Sequence, residues 1–178
     1  KILSGPDNWH LNFDSSKKPE LIGQVKNALY ASKVVSYAQG LDLISSVGEK
    51  YLWNLDLAGI AKIWRGGCII RAKFLGRISE AYENDPTLTN LMLAPFFTSA
   101  MNASQSDWRK VVSIAIKGGI PVPSLSGALS YYDAYRSSRL PANLLQAQRD
   151  FFGAHTYERV DAERGKFFHT DDWPELQD

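Results

Sequence analysis

The sequence predicts an all-α chain, a multi-helix bundle with one long central helix and an irregular C-terminal tail. Apolar residues recur at i, i+3, i+4 and i+7 in one segment after another. The breaks between those segments fall at Gly-Gly pairs and prolines. Period-two alternation is missing apart from a weak trace around Thr156 to Val160.

The first element runs from Pro19 to about Gly48, with Ser15 and Ser16 before it and Gly48 after it as start and stop signals. At ~1.5 Å per residue it would be roughly 45 Å long. Its apolar residues, among them Ile22, Leu29, Val34, Val35 and Leu41, keep to no single stripe, and Ala28, Ala31, Ser32 and Ala38 fill the other faces. A helix apolar or small nearly all round has neighbours on several sides.

A short amphipathic helix follows over Asn54 to Arg65, carrying Leu57, Ile60, Ala61 and Trp64, with Asn54 or Asp56 as N-cap and Gly66-Gly67 as terminator. The third runs from Cys68 to about Glu83, burying Ile70, Phe74, Ile78 and Tyr82, and stops at Pro86. Between Leu88 and Ala103 Pro95 divides an apolar stretch into two short helices or one kinked helix. Ser104-Gln105-Ser106-Asp107 resembles a capping box opening a further helix over Trp108, Val111, Val112 and Ala115, ended by Gly118-Gly119. Pro121 and Pro123 make an extended connector. Leu125, Ala128, Leu129 and Tyr132 mark the next helix, to about Ser138, and Pro141 suits the first turn of the last one, Ala142 to about Phe152.

After Gly153 helical periodicity stops. The remaining stretch, Ala154 to Asp178, is too aromatic for a disordered end and too polar to form a core, so it is expected to lie against another subunit. The two Gly-Gly stops have unlike flanks and mark no internal repeat.

Composition narrows the function. The chain has 178 residues, 44% of them hydrophobic, with 20 Lys and Arg against 19 Asp and Glu. A net charge of +1 supplies no basic field for nucleic acid or an anionic membrane surface, so neither partner is expected. Cys68, the single cysteine, forms no intrachain disulfide, and with three histidines it makes no Cys-rich zinc cluster. The chain therefore reads as intracellular, and no metal site is expected. No run approaches the ~18 apolar residues of a membrane span. The start has neither a signal-peptide layout nor a Met, which reads as a fragment.

Neither a Ser-His-Asp or Cys-His arrangement nor a glycine-rich phosphate loop is recognisable, so no catalytic or cofactor-binding residue is assigned. His10 lies in a Gly- and Pro-rich start, and His169 beside Asp171 and Asp172 reads as a surface cluster. The most informative stretch is Arg136 to His155. Arg136, Arg139 and Arg149 meet no acid between the first and the last of them, and on the final helix Arg149 flanks a stripe of Leu144, Leu145, Phe151 and Phe152. In one reading Arg149 pairs with Asp133, Asp150 or another carboxylate, and His155 is an incidental helix-end residue. In the other, Arg149 offers its planar fork to phosphate and His155 adds a second donor. Spacing leaves both open.

The twenty residues from Arg139 to Glu158, including Gln146-Ala147-Gln148-Arg149-Asp150-Phe151-Phe152-Gly153-Ala154-His155-Thr156-Tyr157, resemble the C-terminal hallmark of the decarboxylating 6-phosphogluconate dehydrogenase family. Leu3-Ser4-Gly5-Pro6, Ile63-Trp64-Arg65-Gly66-Gly67-Cys68-Ile69-Ile70-Arg71 and Phe168-His169-Thr170 before Trp173 agree in order and spacing. The resemblance implies an NADP-dependent oxidoreductase of the pentose phosphate pathway and gluconate utilization, a cytoplasmic homodimer that converts 6-phosphogluconate to ribulose 5-phosphate and CO2. It implies that residues 1–153 are part of the all-helical dimerisation domain and that 154–178 form a tail reaching the partner subunit. Arg149 and His155 would then bind substrate in the partner's active site. NADP would be held by an N-terminal domain outside this chain. The family's catalytic lysine and glutamate lie upstream as well, so this chain alone is expected to be inactive. The tail departs from the family pattern in carrying both Asp171 and Asp172 before Trp173. The alternative from another class is a stand-alone helical dimerisation or binding module.

Overall fold

A computed structural model describes residues 3–6, 15–65 and 74–172, and helices dominate them. They pack as two units, Lys1–Asp133 and Ala134–Asp178, taken separately below.

In the first unit the long helix α1 spans Lys18–Tyr51. Pro19 sits in its first turn, where a missing N–H leaves no intrahelical bond unmade. The expected stop at Gly48 is overrun. The helix ends at Leu52 in the left-handed conformation, and the Trp53 N–H donates to the Gly48 carbonyl. Gly48 serves packing instead: a Cβ there would fall 2.8 Å from Leu55 Cδ1. Ala28, Ala31, Val35, Ala38 and Leu41 form the buried face of α1, while Ile22, Leu29 and Leu43 stay exposed. Among the described residues, the neighbours expected on several sides cover only part of the helix.

Helix α2, Leu57–Arg65, starts later than Asn54 because Asp56 is the cap, its Oδ1 accepting the Gly59 N–H at 2.9 Å. Gly66-Gly67, Cys68 and Ile70 lie outside the described residues. The third helix, α3, is Leu75–Asn84, with Ile78 and Tyr82 buried; Phe74, expected inside it, is the residue that precedes its first turn.

The largest difference lies between Leu88 and Lys117. A 3-10 turn at Leu91–Leu93 leads into one uninterrupted helix, α4, Pro95–Lys117. Pro95 opens this helix rather than kinking it, since the first turn needs no N–H from it. The capping box at Ser104 does not form. Ser104 is buried in mid-helix on a stripe with Phe97, Met101, Trp108, Val111, Val112 and Ala115, and Asp107 accepts a 2.8 Å hydrogen bond from Asn27 of α1 instead. A continuous apolar stripe overrides a local capping pattern because burying it contributes more than one cap. Gly118 and Gly119 end α4 as expected, Gly119 at φ +68°.

Helix α5, Pro123–Tyr135, begins at the proline read as connector. Trp108 Nε1 donates to the Leu125 carbonyl at 3.1 Å, and Arg109 makes a two-pronged contact with Asp133. Buried Asn90 donates to the Tyr131 hydroxyl, which donates to Asp42. With Asn27 near Asp107 and Asp42 near Asn90, α1 and α4 run antiparallel.

The second unit contains α6, Asn143–Gly153, and two short strands, β1 (Tyr157–Glu158) and β2 (Phe167–Phe168). The strands pair antiparallel, Tyr157 opposite Phe168 and Glu158 opposite Phe167. The tail read as irregular carries this one two-residue pairing, and its other described residues are turns, bends and irregular chain. The weak alternation near Thr156 was its local trace. Tyr157 and Thr170 share a 2.7 Å hydroxyl hydrogen bond, and Glu158 accepts the Gly165 N–H, closing the loop.

Candidate functional site

The hallmark stretch forms α6 and the turn after it. Ala154 caps α6 in the left-handed conformation, φ 49°, its N–H bonded to the Asp150 carbonyl at 2.8 Å. Thr156 is left-handed as well, φ 62°. His155 therefore sits between two residues held in a backbone region that side chains rarely adopt. Its imidazole folds back over Gly153, where a Cβ would fall 2.8 Å from Nε2. Glycine at that position leaves the ring its place.

Arg149 is exposed one turn before the helix end, and its guanidinium rests on Gln146 Oε1 at 3.3 Å. The two acids offered by the sequence as its partners are engaged elsewhere. Asp133 holds Arg109, and Asp150 holds His169 and two backbone amides. Within its own unit Arg149 keeps a neutral partner, Gln146, and no acid pairs with it among the described residues there. His155 is exposed too, and no hydrogen bond joins it to Arg149.

Gln146 also lines a cleft of about 470 Å³ between α6 and β1, with Arg139, Asn143, Tyr157 and Arg159 on its walls. Arg159 is spoken for by Asp161, whose carboxyl it holds down to about 2.

The sequence offers Asp150 only as a possible partner of Arg149 and does not show that it meets His169. The Asp150 side chain is 0% exposed. Its Oδ1 accepts the Thr156 N–H at 3.0 Å and the His169 Nδ1 at 2.8 Å, and its Oδ2 accepts the Thr170 N–H at 2.9 Å. Burial works against ionisation, but the hydrogen bonds from His169, Thr170 and Thr156 outweigh it and hold the Asp150 pKa below the ordinary carboxylate value. The hydrogen bond to Asp150, opposed by burial, raises the pKa of His169, and the charges of Asp150 and Asp171 add to the rise. His169 thus meets Asp171 at the surface, 3.4 Å from Nε2 as its neighbourhood in sequence suggests, and through Nδ1 also forms an ion pair with buried Asp150 that anchors the tail. The available signal was an acid in the last turn of a helix, where the dipole disfavours it unless tertiary partners hold it. Among the described residues no group of three His, Cys, Asp or Glu side chains stands ready for a metal, and no helix is long and apolar enough to cross a membrane.

The family model for 6-phosphogluconate dehydrogenase, C-terminal domain, matches residues 1–173. The chain belongs to this family. It is 54% identical over 170 residues to the decarboxylating 6-phosphogluconate dehydrogenase of Ceratitis capitata, covering 96% of this chain and 34% of that protein. The Ovis aries enzyme is 49% identical over the same share of each. A solved Plasmodium falciparum 6-phosphogluconate dehydrogenase, studied in its apo form and in complex with its cofactor NADP+ and its substrate 6-phosphogluconate, superimposes with a TM-score of 0.81 at 44% identity. That match covers 95% of this chain and 34% of the solved one. The chain thus spans about a third of the length of the relatives it matches.

Proposed function

We propose that this chain works within an NADP-dependent, decarboxylating 6-phosphogluconate dehydrogenase. Its part is to supply dimer contacts and two ligands, Arg149 and His155, for the phosphate of 6-phosphogluconate in the partner subunit's active site. The whole enzyme would oxidise 6-phosphogluconate to ribulose 5-phosphate and CO2 in the cytoplasm. The observation that carries this reading is the state of Arg149, a guanidinium on the surface whose candidate acids are both taken. A planar fork with no counter-charge is suited to a dianionic phosphate.

Dimer formation is supported by the apolar stripe of α6. Leu144 is 78% exposed and Phe152 75%, with Leu145 and Phe151 beside them. A patch of that kind on a small unit marks an interaction surface. The described residues hold no glycine-rich turn to cradle a dinucleotide, which fits NADP being held by an N-terminal domain outside this chain. Residues 1–153 would contribute the helical dimer domain and 154–178 the tail that reaches the partner.

The test is steady-state kinetics of the intact enzyme. Arg149→Lys should raise KM for 6-phosphogluconate about tenfold, the loss of one charge-assisted contact, with the KM for NADP unchanged. His155→Gln should weaken substrate binding more than it slows turnover. An unaltered substrate KM in Arg149→Lys overturns the phosphate assignment.

A further inference from the structure

Asp150 is a buried carboxylate for which the substrate-binding reading has no use. It lies between two exposed residues, Arg149 and Phe151, and its own side chain is sealed from solvent. Each of its oxygens is occupied by a donor from the tail: Thr156 and His169 on Oδ1, Thr170 on Oδ2. One side chain at the end of α6 thereby grips both flanks of the hairpin.

The grip closes on the short loop that carries His155. Ala154 and Thr156, on either side of it, both have positive φ, and neither is glycine. Thr156 is β-branched, the residue type for which that conformation is least favourable. Such backbone persists only where its surroundings over-determine it. Here Asp150 does so from both ends, through its carbonyl to the Ala154 N–H and through its carboxylate to the Thr156 N–H. A carboxylate in the last helical turn is not there to stabilise the helix, since it faces the negative end of the dipole.

We propose that Asp150 is a positioning residue for phosphate binding: its carboxylate fixes the strained turn that aims His155, and His169 completes the clamp. This rests on the reading of His155 as a phosphate ligand. The ionisation directions agree, with the carboxyl held charged and the imidazole held protonated to higher pH. Asp171, 3.4 Å from His169 Nε2, adds to the same pair.

The experiment is a double-mutant cycle in the intact enzyme with Asp150→Asn, His155→Gln and both together. Asp150→Asn should raise the KM for 6-phosphogluconate about tenfold, with kcat and the KM for NADP within about twofold of wild type. In the double variant KM should be no higher than in His155→Gln alone, because Asp150 acts through that imidazole. If His155→Gln raises KM while Asp150→Asn does not, or if the two effects multiply in full, the positioning role is wrong and the phosphate reading stands. If His155→Gln leaves KM unchanged, the phosphate reading fails and takes this inference with it. Should Asp150→Asn not fold, His169→Ala removes one of the three donors from a partly exposed site. It should raise the same KM about threefold, and no rise overturns the proposal.

Discussion

Replacing Trp108 tests the packing that joins α4 to α5. Its ring is 0% exposed, lies 6.2 Å from the Tyr132 ring, and donates from Nε1 to the Leu125 carbonyl at 3.1 Å. Trp108→Ala removes a fully buried indole, which costs about 3 to 5 kcal/mol through lost transfer energy and the cavity left behind. The lost hydrogen bond adds about 1 kcal/mol. At ~2 to 4 °C per kcal/mol for a chain of this size, the unfolding midpoint should fall by roughly 8 to 24 °C. Trp108→Phe keeps most of the ring and should lose only about 1 to 2 kcal/mol. Thermal unfolding followed by far-UV circular dichroism measures the midpoints, and guanidinium unfolding the free energies, of both variants. A Trp108→Ala variant within about 1 kcal/mol of wild type would refute the tight α4–α5 contact, because no cavity of that size collapses completely in a close-packed core.

Gly119→Ala should destabilise by about 1 to 2 kcal/mol, since φ is +68° and a Cβ would press on Pro6 at 3.1 Å; an unchanged denaturation midpoint would contradict that turn. The Asp150–His169 pair should respond to pH from both sides. Its partner Asp150 raises the folded pKa of His169, so this contribution is complete below the ordinary value of 6.5 and is lost as pH climbs through the raised value. Asp150 is lowered, so its contribution is present above the ordinary 3.8 and is lost as pH falls through the depressed value. Protection of the Thr156 and Thr170 amides against hydrogen exchange should therefore be greatest between those limits, and a His169 imidazole titrating at 6.5 by NMR would remove the pair.

Helix positions were largely legible because a 3.6-residue apolar period is a local property, repeated often enough to stand out from one sequence. Trp108, Val111, Val112 and Ala115 fall at helical spacing in the sequence, and in the structure all four are buried on α4. The errors share a cause. Gly48 read as a stop, and Ser104 to Asp107 read as a cap, because each has the right local chemistry. Leu55 packing over Gly48, and Asn27 reaching Asp107, are contacts between residues far apart in the chain or across a turn.

The site divides in the same way. The all-α class, the family and the presence of an arginine and a histidine at 149 and 155 are legible along the chain, since twenty consecutive residues carry the family pattern. The sequence left open whether Arg149 was neutralised, because Asp133 and Asp150 were equally available on paper. Packing gives Asp133 to Arg109 within the first unit and Asp150 to His169, Thr156 and Thr170 within the second. A carboxylate's choice among donors depends on burial and distance, and neither is written in the spacing of residues along the chain.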